Sequence, residues 1–146
     1  MRHLFIHFKT LLISTLLCFN AVVSAEQFQQ FNKLEVHYIA IPSTFIQPEI
    51  AKQYNIKRSN YNGLINISIL DNTQDKKAIS AQLTGTGNNL IGQTHQLQFT
   101  EIKEGEAIYY LAEYPYTNEE IVNFEINIKT NKASNTLKFQ HKFYAD

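Results

Sequence analysis

The sequence has 146 residues, with 13 basic and 13 acidic side chains and a formal net charge of zero. That balance gives no pull toward nucleic acid or an anionic membrane. One cysteine and no tryptophan exclude a disulfide framework and a cysteine-rich metal cluster.

Residues 1–25 read as an export signal. Arg2 and Lys9 make a basic start, residues 11–19 form a short apolar run, and Val23, Ser24 and Ala25 supply small residues for cleavage after Ala25. A membrane anchor would need roughly 20 apolar residues, and this run is far shorter. A lipoprotein signal would want a small residue before Cys18, where Leu17 stands. Cleavage removes Cys18, the only Met, Arg2 and Lys9. The remaining 121 residues hold 11 basic and 13 acidic side chains, a net of −2. The periplasm is the expected compartment. The processed chain is expected to be one domain of residues 26–146 and not an integral membrane protein.

Eight Tyr and seven Phe remain after cleavage, a profile that suits strands. Residues 26–33 read as a polar lead-in. The first strand is expected at 34–41, ended by Pro42. Pro48 then suits the first turn of a helix, with Glu49 near its N-terminus and Thr44 or Gln47 as a cap. Ile50, Ala51 and Tyr54 follow at helical spacing, and Asn55 suits a left-handed stop. A short helix is expected at 48–54.

Asn62-Gly63 turns the chain into a second strand at 64–70, with Ile65, Ile67 and Ile69 on one face. A third strand is expected at 78–84, with Ile79, Ala81 and Leu83 inward. Residues 85–89, with Gly85 and Gly87, read as a sandwich-end loop, since no strand–loop–helix surrounds them to form a phosphate cradle. A fourth strand at 94–102 and a fifth at 107–114 form a hairpin, with Gly105 placed for positive φ. The sixth directs Val122, Phe124, Ile126 and Ile128 inward. The last spans 136–144, with Leu137, Phe139, His141 and Phe143 on one face. About seven strands with one short helix after the first imply an all-β fold, an antiparallel, immunoglobulin-like β-sandwich, with a small barrel as the alternative.

No catalytic constellation stands out. His37, His95 and His141 lie on separate strands without metal-ligand spacing, and Glu35 with His37 reads as a local pair. Glu104/Glu106 and Glu119/Glu120 lie in turns, which does not place two carboxylates across a cleft. No G-x-S-x-G elbow is present, and no cofactor is expected. The distinctive stretch is residues 38–59, which holds Pro42, Pro48 and the one arginine left after cleavage. Its candidate binding surface is Thr44, Phe45, Tyr54, Arg58 and Ser59. Arg58 suits either an anionic group or a tie to loop carbonyls. As structure, Phe45, Ile50 and Tyr54 are expected to plug one edge or end of the sandwich, with Arg58 pinning the return.

The run from Phe45 to Ser59, the Gly63-to-Ile69 strand and the closing Phe139-Gln140-His141-Lys142-Phe143-Tyr144 resemble an uncharacterised gammaproteobacterial family, domain of unknown function 4426. Asn55 stands where members commonly show glycine. The resemblance implies a small exported protein and carries no activity or catalytic residue with it. A non-enzymatic binding or envelope accessory domain is therefore expected, with an unknown protein or envelope partner. Exposed strand edges offer further contact surface. The alternatives are a small periplasmic hydrolase built on Arg58, Ser59, a histidine and a carboxylate, or a histidine-based metal-handling protein.

Overall fold

Apolar side chains at every second position pair the chain into two antiparallel sheets in the computed structural model, which describes residues 27–145. The expected export signal lies outside the described residues. The strands are β1 (Gln27–Phe31), β2 (Leu34–Pro42), β3 (Asn62–Asp71), β4 (Lys77–Ala78), β5 (Gln82–Asn89), β6 (Thr94–Leu97), β7 (Thr100–Glu104), β8 (Ala107–Pro115), β9 (Glu120–Lys129) and β10 (Ser134–Phe143). A helix, α1 (Pro48–Gln53), lies between β2 and β3. The first sheet runs β1-β2-β3-β8-β7, with β4 against the end of β3; the second runs β10-β9-β5-β6.

The sandwich core follows the alternation. Val36, Ile65, Ile67 and Ile69 from the first sheet meet Val122, Phe124, Ile126, Ile128 and Leu137 from the second, all at most 1% exposed. Burial of these aliphatic and aromatic side chains is the main force holding the sheets together.

The β-sandwich is as expected, but ten described strands replace about seven. Residues 27–31 form an edge strand rather than a lead-in: Gln27 pairs with Tyr38 and Phe31 with Leu34. An exposed edge strand needs no buried face, so its pattern is polar. The expected strand at 78–84 is two, β4 and β5, because the chain leaves the first sheet to join the second. The expected strand at 94–102 is also two, since the chain crosses back between Leu97 and Thr100.

The expected loop at 85–89 is the second half of β5. Its glycines are required by close approach rather than by turning. A Cβ on Gly85 would lie 2.8 Å from the Glu125 carbonyl oxygen, and one on Gly87 would lie 2.5 Å from the Tyr114 ring. Gly105, by contrast, has the expected positive φ of 58° in the β7–β8 turn.

Register gives the sandwich two distinct ends. Pro42, Asn62 and Pro115 reach one end of the first sheet, and Asn89, Glu120 and Phe143 reach the same end of the second. Tyr116 stacks on Phe143 at 4.4 Å there and joins the two sheets. Leu34, Asp71 and Lys129 mark the opposite end.

Candidate functional site

The inserted segment begins where Pro42 stops β2. Ser43 is buried; its Oγ donates to the Lys57 carbonyl at 2.8 Å and accepts from the Ser59 N–H at 3.0 Å. Arg58 Nε donates to the Ile46 carbonyl at 2.8 Å and its Nη2 to the Thr44 carbonyl at 3.0 Å. Glu113 on β8 accepts from the Lys57 N–H at 2.8 Å and from Asn62 Nδ2 at 2.7 Å. These bonds fold the two arms of the segment onto each other.

The helix between the arms is short. Pro48 occupies its first turn and Glu49 meets the positive end of the dipole. Gln47 sits at the cap position without a side-chain cap bond, and Asn55 stops the helix with φ 55°. Ala51 is its one buried residue. Tyr54 donates its hydroxyl to Glu104 on β7, anchoring the segment to the first sheet.

Among the candidate residues, Thr44, Arg58 and Ser59 come together with Ser43 in one knot. Ser59 Oγ accepts from the Tyr61 N–H at 3.1 Å. Arg58 acts as the pin. Phe45 and Ile50 plug neither an edge nor an end: they are 73% and 42% exposed. Phe45 ends a separate 3-10 turn, Ser43–Phe45, ahead of α1, and the six-residue helix buries Ala51 rather than Ile50. The polar groups of the segment thus face inward while much of its apolar surface faces water.

Beside Tyr54 lies a groove across the outer face of the first sheet. It has two adjoining lobes of about 550 and 220 Å³, sharing Tyr54, Ile56, Leu64, Ile102 and Leu111. Sequence reasoning missed Leu64, Asn66, Ile102, Leu111 and Glu113. The available signal was apolar residues on strand positions that alternate away from the core: Leu64 faces outward yet is 3% exposed under the segment. Asn66, paired with Leu111 in register, lines the groove, and its buried Oδ1 has no hydrogen-bond partner.

The other polar clusters are internally engaged. His37 Nε2 lies 2.5 Å from Glu35, and Lys76 Nζ lies 3.3 Å from the same carboxylate. The His37 hydrogen bond holds the Glu35 carboxyl below its ordinary pKa, with Lys76 adding to the effect. His95 and His141 stand on β6 and β10, the two opposite edges of the second sheet. Burial pushes the His141 pKa down. Glu119 pairs with Lys142 at 3.2 Å, and Glu120 accepts from Asn89 and from the Thr117 N–H. Among the described residues, no three His, Cys, Asp or Glu side chains gather as a metal site. No described helix is long and apolar enough to cross a membrane.

The sequence matches the family described as domain of unknown function (DUF4426) over residues 28–146. The chain belongs to this family. A DUF4426 family protein from Pseudomonas aeruginosa PAO1 is 32% identical, with a TM-score of 0.73 over 83% of this chain and 96% of that one. A copper-bound variant of FetP from uropathogenic Escherichia coli strain F11 is 9% identical, with a TM-score of 0.56 over 82% of this chain and 90% of that one. FetP from the same strain, as isolated, is 11% identical, with a TM-score of 0.58 over 82% and 94% of the two chains. At those identities the FetP likeness concerns the fold alone. No curated protein matches the chain. The DUF4426 match includes the inserted segment and the groove as well as the sandwich.

Proposed function

We propose that this DUF4426 chain is an exported, periplasmic binding domain that seats a segment of a partner protein in the Tyr54 groove. The observation that carries the reading is Asn66 Oδ1, a buried acceptor without a donor in a groove floored by Leu64, Ile102 and Leu111. A buried acceptor left unpaired costs roughly 1–3 kcal/mol. A partner that draws the Asn66 side chain outward to a donor of its own and lays an apolar side chain beside Leu111 offsets that cost and buries the groove. The hydrolase alternative needs a free nucleophile. Ser43 and Ser59 both have their oxygens bound to backbone groups, and Arg58 is bound to carbonyls. The copper in the FetP variant motivates a metal-handling reading, but among the described residues no three His, Cys, Asp or Glu side chains gather to hold an ion.

The test is site-specific photo-crosslinking in the periplasm from position 50, on the groove rim. A discrete crosslinked species is expected, and Leu111→Glu should abolish it. Equal labelling from position 127, on the outer face of the second sheet, would refute the assignment, as would the absence of any adduct.

A further inference from the structure

The two ends of the sandwich close differently. At one, Tyr116 stacks on Phe143 and covers the space between the sheets. At the other that space stays open. A cavity of about 610 Å³ lies there, bounded by the β1–β2, β3–β4 and β9–β10 turns. A recess of this size between three turns suits a small molecule, since ligand clefts run roughly 300–1,000 Å³.

The inward faces change character as they reach this cavity. Phe31 and Leu34 pair across the β1–β2 turn, and Ile79 follows β4; all three pack on the core and line the cavity. They give it an apolar floor. On the second sheet the apolar row stops. Asn135, opposite Ile128 in register, continues the inward row of Leu137 and Phe143 with an amide. It is half-buried, lines the cavity, and its side chain makes no hydrogen bond among the described residues. An aliphatic residue at that position would extend the core, whereas an amide keeps the row open to a polar group. Thr130 Oγ1 accepts from the Lys132 and Ala133 N–H groups at 3.2 and 3.1 Å, which fixes the β9–β10 turn beside it.

The charged side chains that line the cavity are Lys33, Lys132 and Asp71. Asp71 is buried, and its oxygens are taken up by the β3–β4 turn. Oδ1 accepts from the Thr73 hydroxyl at 2.6 Å and N–H at 2.8 Å, and Oδ2 from Gln74 Nε2 at 3.1 Å. The Thr73 hydroxyl above all holds this carboxyl below its ordinary pKa, so it stays ionised. Lys132 Nζ approaches it only to 4.0 Å and is largely exposed. Lys33 makes no ion pair among the described residues. Two ammonium groups thus stand over an apolar floor with one buried carboxylate to balance them.

We infer that this cavity binds a small organic acid, ionised at neutral pH, with an aromatic or aliphatic body. The body lies on Phe31, Leu34 and Ile79. Lys33 and Lys132 hold the anionic group, and Asn135 supplies an amide donor. No lining residue is shared with the Tyr54 groove, so the inference stands apart from the reading of that groove.

The test is a fluorescence titration of the chain, as purified after export, with anilinonaphthalene sulfonate, an aromatic body carrying one anionic group. Saturable binding of one equivalent is expected, weaker at high salt. Phenylnaphthylamine, the same ring system without the sulfonate, should bind more weakly and without salt dependence. Lys33→Glu combined with Lys132→Glu should weaken the sulfonate by about tenfold or more and leave the neutral compound within about twofold. Ala133→Trp, on the cavity wall, should block both. Leu111→Glu, in the Tyr54 groove, should change neither. Unchanged thermal unfolding checks that each variant is folded. A sulfonate that does not bind, or that binds both cavity variants as well as wild type, would overturn the proposal. Equal loss of the two compounds in the lysine variant would overturn the anionic assignment. Loss in Leu111→Glu would place the binding in the groove instead.

Discussion

Tyr114→Phe is expected to make the protein more stable. Tyr114 is 0% exposed between the sheets, its ring packed edge-on to His95 at 5.3 Å and Phe124 at 5.4 Å, and its hydroxyl has no hydrogen-bond partner. In the unfolded chain that hydroxyl bonds to water. Folding strips the water and returns nothing, a cost of roughly 1–3 kcal/mol. Phenylalanine keeps the ring contacts and loses the few dispersion contacts of one oxygen, roughly 0.1–0.2 kcal/mol each. The net gain is about 1–2 kcal/mol. For the 119 described residues, 27 through 145, an unfolding entropy of roughly 2.1 cal/mol/K per residue converts this to a Tm rise of about 4–8 °C.

The same burial, with the charge of Glu120 adding to it, pushes the Tyr114 pKa up to about 12 from an ordinary 10. The folded state therefore favours the protonated form. That contribution is complete below pH 10 and is lost as the pH rises from 10 toward about 12. The advantage of Tyr114→Phe should widen in that window. Differential scanning calorimetry across neutral and alkaline pH checks both points. A lower Tm for the variant, or parallel alkaline limbs for the two proteins, would refute the reasoning.

Two further outcomes follow from the geometry. Gly87→Ala places a Cβ 2.5 Å from the Tyr114 ring and 2.9 Å from Phe124, and should cost about 1–3 kcal/mol in urea unfolding. Gly92→Ala meets open space and should cost about 1 kcal/mol through its positive φ alone; a reversed order of the two would show that the Tyr114 ring yields. Arg58→Lys removes the fork that binds the Ile46 and Thr44 carbonyls. Because the site is exposed, the loss should be about 1 kcal/mol, read as several-fold faster tryptic cleavage within residues 52–58. Unchanged cleavage would mean that the fork does not hold the segment.

Much of the fold was legible because burial imposes a period. Ile65, Ile67 and Ile69, or Val122, Phe124, Ile126 and Ile128, announce a strand with one face in a core. Strand β1 escaped because no face of it is buried, and the second half of β5 escaped because Gly85 and Gly87 look like turn residues when read locally. Their reason is a neighbour distant in sequence: Tyr114 and Glu125 come too close for a side chain. The inserted segment was legible as an exception, and Asn55 and Pro48 act as their types imply. Its internal bonds were partly legible, as Arg58 has few acceptors nearby other than loop carbonyls.

The groove was not legible. Leu64, Asn66, Ile102 and Leu111 come from three strands, and local sequence does not state which strands become neighbours or which sheet face the helix covers. The cavity at the Asp71 end was hidden for the same reason, because Phe31, Lys33, Ile79, Lys132 and Asn135 are separate turn and strand residues until registry brings three turns together. By itself the sequence determined the sheet-forming periodicity, the sandwich class, the break at Pro42 and the helix that follows it, since these depend on local propensity and on the alternation that burial demands. Strand order, the sheet switches at β4–β5 and β6–β7, the unpaired Asn66 and Tyr114 oxygens and the lining of that cavity were decided by tertiary structure alone, because each depends on contacts between residues far apart in the chain.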